Sequence, residues 1–271
     1  MAYRESASSL IRLTRRAAES TALKNVFPVS ETHGRKLVLR SDGDLDEPKP
    51  AQRWSLEVAD TVLFRWKSGL DEITYCSIGK GDPTLIEFWF THILLPLYLT
   101  IEKRCHFLHA SAVKFGDAAV LFIAPSMSGK STMANFLAEQ GHAFMADDKV
   151  LVTESDGVYF AAPSHPFSRP NRGWETLGTV VEPFEDRELP IAAIFELKDG
   201  QKVQSRRLQG AESFSALAPH HLLELPYRRA NRLGWLAALA SIVDVVRLER
   251  PWGLQHMPAI RQSVASHLGS L

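Results

Sequence analysis

The segment APSMSGKS, Ala124 to Ser131, places a lysine and a hydroxyl directly after a glycine. That order suits binding of a nucleoside triphosphate. In the pattern G-x-x-x-x-G-K-[ST], backbone N–H groups cradle the phosphates and the lysine reaches the β- and γ-phosphates. Gly129, Lys130 and Ser131 fill the last three positions, and Ala124 stands at the first. Ser126, Met127, Ser128, Gly129, Lys130, Ser131 and Thr132 would surround the nucleotide. The hydroxyl of Ser131 would hold Mg²⁺. Alanine is the smallest replacement for the first glycine. Met127 is the harder position, because positive φ is sterically free only for glycine. A methionine in the left-handed region costs on the order of 1 kcal/mol. A second group of chemical residues follows in MADD, where Asp147 and Asp148 end a short apolar run. Transfer of a phosphoryl group to a hydroxyl needs a carboxylate for the cation and a base for the proton. Two adjacent acids can divide those tasks. By itself DDK would be a polar turn, and SGKS could be a chance match in a loop.

The flanking elements favour function. AAVLFIA (118–124) is a continuous apolar run, as in a strand buried on both faces. KSTMANFLAEQ is helical and stops at Gly141, a good residue to follow a helix end. HAFMADD is another short strand. A strand, a turn, a helix and a strand make a βαβ-like unit, and ligands bind at the carboxyl ends of its strands. Beyond it, KVLVTE, GVYFAA and IAAIFELKDG predict strands, with a hairpin turn at Asp156–Gly157. Before it, RWSLEVAD, TVLFRWK and DEITYCSIG predict a small antiparallel meander. A helix follows, with Asp82 at its N-cap and Pro83 at its first position. Residues 1–25 predict another helix, with Leu10, Ile11, Leu13 and Ala17 on one side. The stretch 40–52 predicts a surface loop. From about residue 211 the pattern is helical: GAESFSALAP, ANRLGWLAALASIVDVVRL and MPAIRQSVASHL.

Composition bounds the function. Across 271 residues, Lys plus Arg equals Asp plus Glu at 31 each. That balance argues against nucleic acid as a partner. Cys76 and Cys105 are the only cysteines, so a disulfide framework is not expected and a reduced, cytoplasmic compartment fits best. The most apolar stretch, IEFWFTHILLPLYLTI, is short for a membrane span and contains His92 and Pro96. It reads as a buried helix, without membrane insertion.

The stretch LHASAVKFGDAAVLFIAPSMSGKSTMANFLAEQGHAFMADDKVLV (108–152) resembles the catalytic core of HPr kinase/phosphorylase and its smaller relatives. The shared features run in one order: a histidine before the strand, the loop, a helix ending in GH, and the ADD pair. The resemblance implies a mixed α/β fold whose P-loop core is akin to HPr kinase and phosphoenolpyruvate carboxykinase. It implies a strand-rich N-terminal lobe (1–105), the nucleotide-binding core (106–210) and a helical C-terminal part (211–271). It implies ATP and Mg²⁺ as cofactors. By position, His109 matches the active-site histidine, Lys130 the phosphate lysine and Ser131 the metal hydroxyl. Asp147 matches the general base, and Asp148 its neighbour on the metal side. The Glu-x-Arg-Gly-Leu-Gly segment of the bifunctional enzymes is replaced by RPNRGWETLG, in which Arg172 and Gly173 align and the glutamate falls on Pro170. Phosphorylase activity, and HPr as the acceptor, are therefore not implied. Glu175 is a possible substitute for that glutamate, and Trp174 a possible peptide contact. Arg228, Arg229 and Arg232 in PYRRANR could stabilise transferred charge, or simply form a solvated helix start.

The leading expectation is an ATP- and Mg²⁺-dependent kinase acting on a serine hydroxyl of a protein or peptide; the resemblance extends to smaller relatives that phosphorylate lasso-peptide precursors, which makes such a peptide one acceptor it implies. The alternatives are a non-catalytic nucleotide-binding regulator with a degenerate loop, and a kinase for a small hydroxylated metabolite. A homo-oligomer is left open.

Overall fold

The computed structural model describes residues 11–16, 23–25, 30–43, 49–79, 81–102, 105–169, 175–222 and 229–269. The chain divides into two compact units, one of Met1–Arg104 with Asn171–Leu177, the other of Cys105–Pro170 with Gly178–Leu271.

The first unit is built on a seven-stranded sheet. Its centre is the expected antiparallel meander: Arg35–Ser41, Arg53–Val58, Val62–Lys67 and Glu72–Ser77. Alternation sends Trp54, Leu56, Val58, Phe64, Trp66 and Ile73 to one buried face. The helical segment Pro83–Glu102 covers that face, with Trp66 meeting Tyr98 edge-on and Phe64 meeting Phe90. Asp82 caps it by accepting from the Leu85 N–H, with proline in the first turn, as the sequence predicts. A π-helical turn at Phe90–Leu94 interrupts it. The segment has the length and apolarity of a membrane span, yet 67% of its most apolar window is buried inside the protein.

Residues 1–25 do not form the expected helix where they are described. Arg12–Arg15 is a strand parallel to Glu72–Ser77, and Lys24–Asn25 is a strand antiparallel to Arg35–Ser41. Helical spacing of apolar residues lost to the backbone pairing offered by two sheet edges. Leu10 and Ala17 lie outside the described residues.

The second unit contains a nine-stranded mixed sheet. Its hub is the long strand Leu189–Asp199, which pairs in parallel with Ala118–Ile123 on one side and Asp244–Arg250 on the other. Ala118–Ile123 also pairs antiparallel with Ala110–Phe115, which pairs antiparallel with Phe144–Ala146. The chain therefore leaves Ala118–Ile123, passes through the helix Lys130–Glu139, and returns one strand further out in the same direction.

The continuous apolar run has a simple cause. Ala119, Leu121 and Ile123 face one core with Leu217, Leu236 and Leu239. Val120, Phe122 and Ala124 face the other with Met133, Leu137, Ile260 and Val264. Helices thus cover both faces, and no side of the strand is left to water.

The C-terminal part is helical at Ala211–Leu217, Arg229–Ile242 and Met257–Leu268. The expected helix over ANRLGWLAALASIVDVVRL ends early, at Ile242. The rest becomes the strand Asp244–Arg250, because Val245 and Val246 fill opposite cores beside Leu189–Asp199. Asp156 and Gly157 both have positive φ, as a two-residue hairpin requires.

A strand without a solvent face makes a distinctive prediction. Leu121→Ala and Phe122→Ala, adjacent but on opposite faces, should each cost about 2–5 kcal/mol. Urea unfolding checks this; a cost near zero at either position would mean that one face is not packed as described.

Candidate active site

The sheet directions bring the chemical residues together. Ala118–Ile123 and Phe144–Ala146 end at the same edge, where the antiparallel strand Ala110–Phe115 begins. The loop after the first, the acids after the second, and His109 and Ser111 at the start of the third meet there.

Asp147 is the centre of the cluster and is 2% exposed. Its Oδ1 accepts from the hydroxyl of Ser111 at 2.7 Å and from that of Ser131 at 2.8 Å. Its Oδ2 accepts from the Arg169 backbone N–H at 3.2 Å and the Ser168 hydroxyl at 3.4 Å. Asn135, on the loop helix, donates in turn to Ser168 at 3.0 Å. Buried carboxylate oxygens are costly unless each finds such donors.

Asp148 is placed differently. Its φ is +72°, in the left-handed region that aspartate tolerates better than most residues. Its side chain keeps 19% exposure and faces His109 Nε2 at 3.4 Å and Lys149 Nζ at 3.0 Å. The structure therefore sets Ser131 against Asp147 and His109 against Asp148. The sequence expectation had joined Ser131 with Asp148.

The loop resolves the question of its missing glycines. Ala124 is fully buried in the core beneath the loop helix, so its methyl is packed. Met127 does take the left-handed conformation, at φ +65°. Its side chain is 83% exposed, so the strain is local and nothing is displaced. Gly129 is also left-handed, at φ +84°, immediately before the helix. Lys130 is 2% exposed and donates to the carbonyls of Ala124 at 2.8 Å and Pro125 at 3.1 Å. Ser126 and Thr132 are exposed on the loop and the first helical turn.

Arg250 also reaches the loop, from the end of the strand Asp244–Arg250. It is 3% exposed, and its Nη2 donates to the Ser128 carbonyl at 2.6 Å. Sequence reading missed it, because its contact is 122 residues away in the chain. Ser111 was legible in principle, as a lone hydroxyl inside an apolar strand.

Buried histidines surround the cluster. The His109 N–H donates to the His220 carbonyl at 2.6 Å. Burial, with Lys130 and the nearby His109 ring adding to it, pushes His220 down to about 4. Burial, with Lys149 adding to it, pushes His165 down to about 4.

Other expectations fall elsewhere. Glu175 accepts both Arg35 Nε at 2.6 Å and Arg35 Nη2 at 2.9 Å, and also Trp89 Nε1 at 2.9 Å, all within the first unit. It is occupied as an anchor there. Arg232 lies close enough to His221 to help lower its pKa. Pro170, Arg172, Gly173, Trp174 and Arg228, and the side chain of Arg229, lie outside the described residues.

The oxygen donors of Ser131 and Asp147 suit Mg²⁺, which typically takes one or two protein carboxylates and completes its shell with phosphate and water. No group of three or more His, Cys, Asp or Glu that could hold a metal occurs among the described residues.

No family model matches the sequence, and no curated protein matches it. Among solved structures, the chain is similar to the HPr(Ser) kinase/phosphatase from Coxiella burnetii. The two are 12% identical, with a TM-score of 0.36, over 59% of this chain and 95% of that one.

Two predictions follow from the local environments. Met127→Gly relieves positive-φ strain at an exposed side chain, so it should stabilise the protein by up to about 1 kcal/mol. The urea midpoint reads this, and a fall would show that the Met127 side chain makes contacts outweighing the strain. The second concerns pH. The folded pKa of His165 lies below its usual value of 6.5, so the unfolded chain binds the extra proton first. Its contribution to stability is complete above about pH 6.5 and is lost as pH falls towards 4. Urea midpoints measured across that range should fall with pH, and less steeply in His165→Gln.

Proposed function

We propose that this protein is a kinase that transfers the γ-phosphoryl group of ATP, with Mg²⁺, to a serine hydroxyl of a protein or peptide. The observation that carries this reading is the contact between Ser131 and Asp147. It joins the hydroxyl that follows the loop lysine to a buried carboxylate at the end of the strand two places away in the sheet. A phosphate loop paired with a strand-end acid is the arrangement that phosphoryl transfer uses to hold a metal–nucleotide complex. The motif order of residues 108–152 supports the same chemistry.

In this reading Lys130 and the N–H groups at the start of the loop helix bind the β- and γ-phosphates. Ser131 and Asp147 would hold the cation. Mg²⁺, when bound, neutralises charge on the phosphate oxygens. Asp147 is committed to Ser111, Ser131, Ser168 and Arg169, which suits a positioning role better than proton abstraction. Asp148 is more exposed and faces His109 and Lys149, and in this reading it takes the proton because its oxygens are less enclosed than those of Asp147. The two acids thus exchange the tasks that motif position alone assigns. The acceptor oxygen bonds to the γ-phosphorus as the bond to the β-phosphate bridging oxygen breaks. The hydroxyl proton passes to Asp148, and ADP leaves.

One observation favours the second reading, nucleotide binding without transfer. Lys130 and Arg250 both donate to carbonyls of the loop itself, as in a loop specialised for holding its own shape.

The test measures nucleotide affinity and labelled phosphate incorporated into serine peptides and small alcohols. Lys130→Ala should lose both affinity and turnover, because the lysine touches ground and transition states alike. Asp148→Asn should lose about 10²- to 10⁴-fold in turnover, typical of general-base removal, with ATP affinity within a few-fold. Asp147→Asn should raise the Mg²⁺ requirement. If Asp147→Asn instead abolishes transfer at unchanged Mg²⁺ dependence, Asp147 is the base. If wild type binds ATP and phosphorylates nothing, the second reading stands. Transfer to small alcohols but not to peptides would make the acceptor a metabolite.

A further inference from the structure

Arg250 is a cation buried to 3% exposure, at the carboxyl end of a strand two places from the loop strand. The strands Ala118–Ile123, Leu189–Asp199 and Asp244–Arg250 are mutually parallel, so their ends share one edge. The guanidinium lies over the Trp252 ring at 5.0 Å, and its Nη2 donates to the Ser128 carbonyl at 2.6 Å. Its Nε is buried with no hydrogen-bond partner among the described residues. A Cβ added to Gly129 would come 2.7 Å from Nη2. Gly129 suits its φ of +84°, and a side chain there would also displace the guanidinium of Arg250.

A trans peptide directs the N–H of residue i+1 opposite to the carbonyl of residue i. Holding the Ser128 carbonyl towards Arg250 therefore turns the Gly129 N–H away from the guanidinium. That N–H belongs to the run of amides leading into the helix N-terminus, where intrahelical partners are lacking. The loop lacks glycine at Ala124 and Met127, so its own backbone does not supply the usual freedom to set this peptide.

We infer that Arg250 is a positioning residue for the phosphate site, which orients the 128–129 peptide so that the Gly129 N–H is presented to the anion. The inference rests on the reading of the loop as a nucleotide site. Arg250 acts from behind the loop, and Trp252 holds the guanidinium in place. The arrangement stands in for glycines that the loop does not have.

Calorimetric titration of the full chain with ATP–Mg²⁺ and with pyrophosphate tests this, with thermal melting of each variant alongside. Arg250→Ala should weaken both ligands about ten-fold, the scale of a lost charge-assisted hydrogen bond. Millimolar guanidinium should restore part of that affinity, and sodium at the same ionic strength should not. A merely structural role would not give that selective rescue. If a folded Arg250→Ala binds both ligands like wild type, or if its loss is not rescued, the inference is overturned while the nucleotide reading survives. If wild type binds neither ligand, both fall. Should Arg250→Ala fail to fold, Trp252→Ala decides, because Trp252 is 55% exposed. Weaker binding by that variant supports the inference, and unchanged binding overturns it.

Discussion

The Asp147 carboxylate is a charge placed almost out of reach of water, and the site is organised by the need to satisfy it. An unpaired buried carboxylate is costly, so each oxygen must find donors. Ser111 comes from one strand, Ser131 from the loop helix, and Ser168 and Arg169 from the segment after the hairpin. Four donors from three stretches of chain converge on two atoms. That convergence fixes the start of the loop helix relative to the sheet. It also explains why Asn135, a turn further along the same helix, is joined to the cluster through Ser168.

The phosphate-type loop achieves its shape by an unusual route. Met127 accepts a left-handed backbone with its side chain in solvent, and Ala124 turns a position often held by glycine into part of the core. Cations then grip the loop carbonyls, Lys130 at Ala124 and Pro125 and Arg250 at Ser128. Side-chain hydrogen bonds do here what backbone freedom does in a glycine-rich loop.

The first unit has its own buried polar economy. Trp54 Nε1 donates to Ser68, and both Ser68 and Trp66 Nε1 donate to Glu102 Oε1. Indole N–H groups inside an apolar face need acceptors, and Glu102, at the end of the helical segment, accepts from Trp66 directly and is linked to Trp54 through Ser68. Glu175 does the same for Arg35 and Trp89. A glutamate that motif alignment would consider for catalysis is thereby spent on structure. Its partners, Arg35 and Trp89, precede it by 140 and 86 positions.

Local pattern determined a good deal by itself. The apolar run 118–124 reads as a doubly buried strand, Gly129–Ser131 as the start of a helix, and Asp82–Pro83 as a cap, because each depends on neighbours within a turn or two. The loop residues and the two acids were legible for the same reason, whereas His109 came from the resemblance and Ser111 and Arg250 were not read. Tertiary structure decided what pairs with what. Arg12–Arg15 and Asp244–Arg250 are strands because sheet edges were available to them, and helical spacing could not register that. Ser131 meets Asp147 and leaves Asp148 to His109, because the directions of three strands decide which way each carboxylate points. Arg250 enters the site because parallel strands deliver their carboxyl ends to one edge, a fact that no sequence window spans.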